Sequence, residues 1–384
     1  MLLRGNPHES NGLDNGMRHD AMKMHIGFFS GDITRSGGTE NVSIIIANEL
    51  ANLSEYKVSF VSLFEERGMP FFAIDERIER FALYPEVVHG IQHYFDTCYR
   101  LKQMVKKQKI DLLIDIDGIL DMYSLPVKHS TGIKVISWEH FNYLQNPDVP
   151  YRKLTRRWAA HSADAIVTLT KTDKSMYEEN LNLRCPVTAI ANPMKDPCDQ
   201  VIYDADSRLI LSSGRLTYQK GFDLLVDAAA QVLPQHPDWR WIVLGEGEDR
   251  PLLEQKIRDA NLEGRLILMG RVKNVDDYYR KAGLFVMTSR FEGLPMVLLE
   301  AKTYRLPLVS FDCPTGPSEV IENGVNGTIT APENTHALAS AVNELLDNRE
   351  KRIAYSVNSG SNAKSYDKKH ILCQWQELLN EVMQ

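Results

Sequence analysis

The sequence predicts an α/β protein of two doubly wound domains, each built on a parallel sheet, that face a central cleft. Its 384 residues are too many for one ordinary core and suffice for two domains of about 150–200 residues each. From His25 onward, short apolar runs alternate with amphipathic stretches, which is typical of βα units. A stretch rich in turn-forming residues, Asn192–Ser207, interrupts this alternation near the middle of the chain and predicts a hinge.

The first half of the chain contains several apolar runs of strand length. The predicted strands are His25–Phe29, Val58–Leu63, Asp111–Asp117, Lys134–Trp138 and Ala165–Thr170. Between the first two lies Thr39–Leu53, whose apolar residues recur at helical spacing and predict a helix. We therefore assign residues 23–195 to an N-terminal domain.

The second half restarts with a more regular alternation. Its predicted strands are Leu209–Ser213, Trp239–Leu244, Leu266–Met269, Leu284–Thr288 and Pro307–Phe311. The predicted helices between and after them are Phe222–Leu233, Pro251–Ala260, Val275–Ala282, Pro295–Tyr304 and His336–Asp347. We assign residues 208–366 to a C-terminal domain and expect residues 367–384 to form a helix that crosses back to the N-terminal domain.

Residues 1–22 are polar, lack any periodicity and do not contain the apolar stretch of a signal peptide. We expect them to be a disordered leader, an upstream start or a remnant of cloning. No apolar run in the chain approaches the roughly 18–20 residues of a membrane span.

Charge and cysteine content narrow the class of protein. The formal net charge of −7 provides no basic field for nucleic acid, so we expect no nucleic-acid partner. The five cysteines lie far apart without a CxxC pair, which favours reduced thiols over disulfides or a zinc site. We expect a cytoplasmic protein whose contact with a membrane, if it has one, is peripheral.

The segment Arg290–Arg305 carries the strongest signal for a binding site. A predicted strand ends just before it, and Pro295 stands where a helix would begin, a favoured place for proline. Glu292 and Glu300 have seven residues between them. Because side chains on a helix lean toward its N-terminus, both carboxylates can reach one ligand. Backbone amides at the positive helix end suit an anionic group. A solvated charge at position 300 is the alternative interpretation.

Three further segments follow predicted strands. Gly214–Gly221 places Arg215 and Lys220 in one loop, where two cations can clamp a diphosphate, although a solvated basic loop is the commoner case. The glycine pair in Ser36–Gly38 allows close approach of a phosphate or sugar, or merely a tight turn. His140 ends a predicted strand and faces the cleft, unless it is a structural histidine.

Together these segments resemble the family-4 retaining glycosyltransferases, which have the GT-B fold of two Rossmann-like domains. The resemblance runs from about Lys23 to the C-terminus. It rests on the glycine pair, the EH at a strand end, GRLTYQKG, GEGED (Gly245–Asp249) and the two glutamates of FEGLPMVLLE. It implies that the N-terminal domain lies on the acceptor side and that the C-terminal domain binds a nucleotide sugar.

The resemblance also implies a role for each candidate residue. His140 and Glu292 are the implied catalytic residues, which position and contact the transferred sugar. Arg215 and Lys220 would hold the diphosphate, and Glu300 the ribose hydroxyls. The implied donor-binding set is Gly37, Gly38, Arg215, Lys220, Val272, Glu292, Gly293, Leu294, Pro295 and Glu300.

We expect neither a metal nor a cofactor, because fixed cations and amides can stabilise a leaving diphosphate and the resemblance implies metal independence. Asp115 and Asp117 match the DxD pattern, but the apolar context DLLIDID favours a structural role. Retention of configuration is implied by the resemblance alone. The segment Cys313–Ile321 departs from the longer glycine-rich turn of many relatives, so the contacts that select the sugar stay open.

The implied function is transfer of a hexose or N-acetylhexosamine from a UDP-sugar to a glycan or lipid-linked saccharide in cell-surface polysaccharide synthesis. A GT-B sugar-nucleotide epimerase and a catalytically inactive protein that binds nucleotide sugars are the alternatives. Two basic runs, Arg100–Lys109 and Tyr151–Trp158, are compatible with contact to the inner face of a membrane. A solvated helix face is the commoner meaning of such runs.

Overall fold

The computed structural model describes residues 23–145, 151–195 and 202–384. Within these residues the chain forms two sheets, one of seven strands and one of six. All strand pairs in both sheets are parallel, which confirms the predicted α/β class with two Rossmann-like domains. The predicted leader, residues 1–22, and part of the predicted hinge, residues 196–201, lie outside the described residues.

The first sheet belongs to the N-terminal half. Its strands are β1 Met24–Ser30, β2 Tyr56–Ser62, β3 Glu79–Ala82, β4 Leu112–Asp115, β5 Lys134–Trp138, β6 Ala165–Thr168 and β7 Val187–Ala189. The helices are α1 Gly38–Ala51, α2 Tyr94–Gln108, α3 Asp121–Thr131, α4 Arg152–Ser162 and α5 Lys171–Asn180. The strand order is β3-β2-β1-β4-β5-β6-β7, so the direction of the order reverses at β1. A crevice for ligands is expected beyond the carboxyl ends of the strands at such a reversal.

The second sheet repeats this plan. Its strands are β8 Leu209–Ser213, β9 Arg240–Leu244, β10 Leu266–Gly270, β11 Leu284–Met287, β12 Leu308–Phe311 and β13 Gly327–Thr330. The helices are α6 Phe222–Val232, α7 Arg250–Asp259, α8 Val275–Lys281, α9 Met296–Thr303, α10 Pro317–Val320, α11 Thr335–Asp347, α12 Arg349–Val357 and α13 Lys368–Met383. The order β10-β9-β8-β11-β12-β13 makes β8 and β11 neighbours. The loops that leave these two strands therefore start side by side.

Central strands and edge strands differed in how readily the sequence predicted them. β1, β4 and β5 are buried along most of their length, because helices cover both faces of a parallel sheet, and they appear as continuous apolar runs. No apolar pattern predicts the three short strands at sheet edges, which are three or four residues long: β3, β7 and β13. Their residues are largely half-buried or exposed, so no apolar run marks them.

The C-terminal helix α13 contacts the first domain. The ring of Trp375 in α13 meets the ring of Trp138 in β5 edge-on, with centroids 4.8 Å apart. Lys368 at the start of α13 forms a 3.0 Å ion pair with Glu49 of α1. The chain thus passes between the domains a second time. In the described ranges, no helix has both the length and the apolar character needed to cross a membrane.

Candidate active site

The candidate residues lie at the carboxyl ends of strands in both sheets. Gly37 and Gly38 follow β1, His140 follows β5, Arg215 and Lys220 follow β8, Val272 follows β10, and the segment from Glu292 to Glu300 follows β11. Hydrogen bonds between the two sets of loops bring the two edges together. For example, the side-chain amide of Asn142 donates to the carbonyl oxygen of Glu292 at 2.6 Å. The candidate site is therefore a cleft formed by both domains.

Glu292 and Lys220 form an ion pair in this cleft. The Lys220 ammonium lies 2.6 Å from Oε1 of Glu292, and the same oxygen accepts a 2.6 Å hydrogen bond from Ser289. Glu292 is 6% exposed. The Lys220 backbone is fixed over the end of β11, because its carbonyl accepts from the hydroxyl of Thr288 at 3.1 Å. Gly221 has φ +62°, and a Cβ there would lie 2.2 Å from the Thr288 carbonyl, so this approach requires glycine.

The segment after Glu292 presents free backbone donors. Among the described residues, none accepts a hydrogen bond from the amides of Gly293 and Leu294. Pro295 precedes the first residue of α9, where no side chain caps the helix. A Cβ on Gly293 would lie 2.3 Å from the carbonyl oxygen of His140, so glycine at this position permits the close contact between the domains. These amides, at a positive helix end, suit a phosphate or a sugar oxygen.

Glu300 lies in α9 and is half-buried. Its Oε2 accepts a 2.9 Å hydrogen bond from the hydroxyl of Tyr279, whose ring is stacked between Phe285 and Tyr304. Burial raises the pKa of Glu300 above its ordinary value. The rigid tyrosine fixes one carboxylate oxygen, which leaves the other for a ligand hydroxyl.

Arg215 is exposed and makes no hydrogen bond or ion pair with any residue in the described part of the chain. Its loop is held against the GEGED segment, since the amide of Leu216 donates to the carbonyl of Glu246 at 3.0 Å. A Cβ on Gly245 would lie 1.9 Å from the Gly214 carbonyl, and one on Gly247 would lie 2.1 Å from the Leu216 carbonyl. The glycines of GEGED therefore serve the packing of the loop that carries Arg215.

Gly37 and Gly38 begin α1 at the reversal point of the first sheet. A Cβ on Gly38 would meet no described atom within 4 Å, so the backbone there opens onto free space. A Cβ on Gly37 would lie 2.3 Å from a carboxylate oxygen of Glu40, the end of a flexible side chain, whose pKa is raised by burial. Neither glycine is therefore required by contact with the backbone of another segment.

His140 is buried and tilted against Trp138, with ring centroids 4.5 Å apart. Its Nε2 has no hydrogen-bond partner among the described residues. Burial lowers the pKa of His140 to about 4, so the imidazole is neutral at pH 7. A buried polar atom without a partner is uncommon, and at a strand end over a cleft it suggests a ligand.

Val272 lines an open depression of about 430 Å³ beyond β10. The other lining residues are Lys273, Asn274, Asp277, Tyr278 and Lys281. Both polar and apolar groups line the depression beside Val272. Its volume leaves room for a flat heterocyclic base.

The DxD pair does not face the cleft as two free carboxylates. Asp115 is fully buried and accepts a hydrogen bond from Ser124. Burial raises its pKa to about 7, and it lies next to Asp121, whose pKa is raised in the same way. Asp117 forms a two-point ion pair with Arg152 at 2.6 and 3.2 Å. Both aspartates are thus committed to contacts within the first domain, and across the described ranges no three His, Cys, Asp or Glu side chains group as metal ligands.

Glu139 has a structural role that the sequence did not predict. This carboxylate is 2% exposed and accepts hydrogen bonds from Arg152 at 3.0 Å, Arg156 at 2.9 Å and Tyr177 at 3.1 Å. Two arginines of the basic run Tyr151–Trp158 therefore point inward. The i,i+4 spacing of these arginines on α4 was the available signal, because it places both on one helix face.

Comparison with known proteins places the chain among enzymes. A family model described as Glycosyltransferase Family 4 matches residues 36–195, and one described as Glycosyl transferases group 1 matches residues 199–361. An uncharacterized glycosyltransferase of Haemophilus influenzae is 31% identical, over 92% of this chain and 99% of that protein. The amylovoran biosynthesis glycosyltransferase AmsD of Erwinia amylovora is 29% identical, over 91% and 97%.

Two further proteins are similar over nearly the whole chain. One is an alpha-1,4-N-acetyl-D-galactosaminyltransferase of Campylobacter jejuni, whose name specifies a saccharide linked to PP-undecaprenol. It is 25% identical to this chain, over 90% of this chain and 96% of that protein. The other is a TarM variant of S. aureus, solved with fondaparinux, alpha-GlcNAc-glycerol and UDP. It superimposes with a TM-score of 0.80 at 15% identity, over 93% of this chain and 100% of that chain, and shows the shared fold.

The chain has two parallel-sheet domains, and each is matched by one of the two family models. Together these findings define a sugar-transferring enzyme with the GT-B fold. The chain belongs to glycosyltransferase family 4.

Proposed function

We propose that this enzyme transfers a hexose or N-acetylhexosamine from a UDP-sugar to a glycan or lipid-linked saccharide, with retention of configuration and without a metal. The observation that carries the proposal is the arrangement around the Lys220–Glu292 pair. A cation, a carboxylate and the free amides of Gly293 and Leu294 lie together at the reversal point of the second sheet. The backbone carbonyl of His140 approaches Gly293 from the first domain, and the buried Nε2 of the same residue has no hydrogen-bond partner among the described residues.

The diphosphate of the donor fits the cationic side of this arrangement. When the bond between the anomeric carbon and the phosphate oxygen breaks, its electron pair goes to the diphosphate. The exposed guanidinium of Arg215, the ammonium of Lys220 and the two amides can stabilise that negative charge in a site already organised for it. The acceptor hydroxyl forms the new bond to the anomeric carbon, and the departing diphosphate takes up its proton.

The sugar and the ribose fit the remaining groups. Glu292 and the amides after it would contact the transferred sugar, and the carboxylate of Glu300 would accept hydrogen bonds from the ribose hydroxyls. His140 is neutral at pH 7 and a weak base, because burial lowers its pKa to about 4. It is therefore suited to hydrogen-bond a sugar hydroxyl rather than to remove a proton.

The donor and acceptor classes are taken from the relatives. The S. aureus structure contains UDP, which supports a UDP-sugar donor. The C. jejuni relative is named for a PP-undecaprenol-linked saccharide and the E. amylovora relative for amylovoran biosynthesis, which supports an acceptor used in cell-surface polysaccharide synthesis. Such an acceptor would bring the enzyme to the inner face of the membrane from the cytoplasm.

A two-stage experiment tests the proposal. First, UDP-glucose, UDP-galactose and their N-acetylated forms are screened for binding by thermal shift, with GDP-mannose as a control of different base. Then release of UDP is followed with and without lipid-linked saccharides. Binding of a UDP-sugar together with acceptor-dependent UDP release is expected. Stabilisation by GDP-mannose alone would overturn the choice of donor.

The same mixtures separate the alternatives. An epimerase would convert the UDP-sugar to an isomer without any acceptor, which chromatography of the donor alone would reveal. An inactive binding protein would bind the donor and release no UDP with any acceptor. The intact ion pair at Glu292 favours a catalyst over an inactive binding protein.

A further inference from the structure

Asn142 joins the two domains at the candidate site. It follows β5 in the first domain and is 2% exposed, and its amide nitrogen donates to the Glu292 carbonyl at 2.6 Å and to the Pro314 carbonyl at 3.3 Å. The oxygen of the same amide accepts a 3.0 Å hydrogen bond from the backbone N–H of Gln145. Because that bond determines which end of the amide faces Glu292, the donating nitrogen is held toward the second domain.

The Glu292 carbonyl accepts one hydrogen bond from each domain. The second comes from the hydroxyl of Thr315, in the loop after β12, at 2.7 Å. A carbonyl oxygen has two lone pairs, so these two donors complete its capacity. Thr315 has φ +63°, an unusual backbone conformation for a β-branched residue, and it is held there within a buried loop.

Fixing this oxygen also fixes the direction of a donor to the substrate. The carbonyl of Glu292 and the amide N–H of Gly293 belong to one planar trans peptide unit, so they point in opposite directions. With the oxygen held by Asn142 and Thr315, the Gly293 N–H faces away from both. That N–H is one of the amides without an acceptor among the described residues.

A second contact holds the domains together away from this peptide. The carboxylate of Glu319, in α10 of the second domain, accepts hydrogen bonds from the backbone amides of Lys171 and Thr172 at 3.1 and 2.9 Å. These amides start α5 of the first domain, and a carboxylate at a helix N-terminus is favourable. Domain contact therefore has a support that does not depend on Asn142.

We propose that Asn142 is a positioning residue for sugar transfer: when the domains meet, it locks the Glu292–Gly293 peptide plane and so aims the Gly293 amide at the transferred group. This inference rests on the proposed function. Lys220 and Glu300 belong to the second domain, so the nucleotide can bind without the Asn142 contact. Asn142 therefore affects turnover more than nucleotide affinity.

The test compares two variants that each remove one hydrogen bond from the same carbonyl. Asn142→Ser is neutral, retains a short acceptor for the Gln145 amide and cannot reach Glu292. Thr315→Val, the matched control, keeps the β-branched shape and removes the bond made within the second domain. The measurements are the Kd for UDP by calorimetry, kcat and KM for UDP release from the accepted UDP-sugar, and the melting temperature.

Asn142→Ser is expected to lower kcat by about tenfold or more, with the UDP Kd within about twofold of wild type. Thr315→Val is expected to raise the UDP Kd by about threefold or more, since its bond exists whether or not the domains meet. If the serine variant does not fold, Asn142→Ala is measured in its place.

The inference is overturned if the folded Asn142 variant keeps kcat within about twofold of wild type. It is also overturned if the UDP Kd of the variant rises as many-fold as its kcat falls. Failure of the proposed function has a different result. Wild-type protein would then neither bind UDP nor release it from any UDP-sugar, whereas an active wild type with an equally active Asn142 variant refutes the positioning role alone.

Discussion

The ammonium of Lys220 lies 2.6 Å from the carboxylate of Glu292, and this ion pair joins the loops that leave two neighbouring strands, β8 and β11. The lysine side chain is 21% exposed and the glutamate side chain 6%. The pair orients both groups before any donor binds. An incoming diphosphate would compete with Glu292 for the lysine, which links donor binding to the position of the carboxylate beside the sugar.

The first prediction concerns donor affinity. Lys220→Ala and Glu300→Ala should each weaken binding of UDP, because each removes a charged hydrogen-bond partner worth about 1.5–3 kcal/mol. Calorimetric titration with UDP checks this. Lys256→Ala, which removes a surface ion pair with Asp227 in the same domain, is the matched control and should bind normally. An affinity within about twofold of wild type for both site variants would refute these donor contacts.

The second prediction concerns His140. Its imidazole reaches the donor only from the first domain, so His140→Ala should lower kcat by about tenfold or more, about 1.4 kcal/mol in the barrier, with little change in donor Kd. A purely structural histidine would behave differently: its loss would lower the melting temperature and leave the turnover of folded enzyme nearly intact. Measuring melting temperature, Kd and kcat on one sample separates the two outcomes.

The third prediction concerns metals. UDP release should persist in excess EDTA, because Arg215, Lys220 and the helix-end amides are proposed to neutralise the diphosphate. The assay is run before and after chelation, with manganese and magnesium added back. Complete loss in EDTA that either ion restores would show that a carboxylate cluster takes part after all.

The fourth prediction concerns the buried carboxyl group of Asp115. Burial raises its pKa to about 7 in the folded protein, above its ordinary value of 3.8. Asp115 and Asp121 form a pair of buried carboxyl groups, and the carboxylates of Asp117 and Glu139 lie near that pair. The folded state therefore binds more protons than the unfolded state between about pH 4 and 7, and this contribution to stability is lost as the pH rises.

Asp115→Asn removes that titration. Relative to wild type, the unfolding free energy of the variant should rise by at least about 1.4 kcal/mol, one pKa unit, as the pH increases from about 4 to 7. Urea denaturation at a series of pH values measures it. An Asp115→Asn curve that runs parallel to the wild-type curve would contradict the prediction.

Local sequence patterns were sufficient for the fold class, and they pointed to the segments of the candidate site. Buried central strands such as β1 and β5 appear as apolar runs, because both of their faces are covered. The loops with Arg215, Lys220 and Glu292 stood out because cations, glycines and carboxylates follow directly after strands. In a parallel sheet the carboxyl ends of the strands share one edge, so these segments could be assigned to a common cleft.

The sequence by itself therefore determined two doubly wound domains and the cleft between them, because periodicity and turn residues act over a few neighbouring positions. Only the tertiary structure decided which side chains meet. Lys220 pairs with Glu292 because β8 and β11 are neighbours, Arg152 and Arg156 turn inward because Glu139 is buried beneath α4, and Asn142 contacts Glu292 because the domains touch. Pairings of this kind follow from sheet order and domain contact, and neither leaves a periodic signal in the chain.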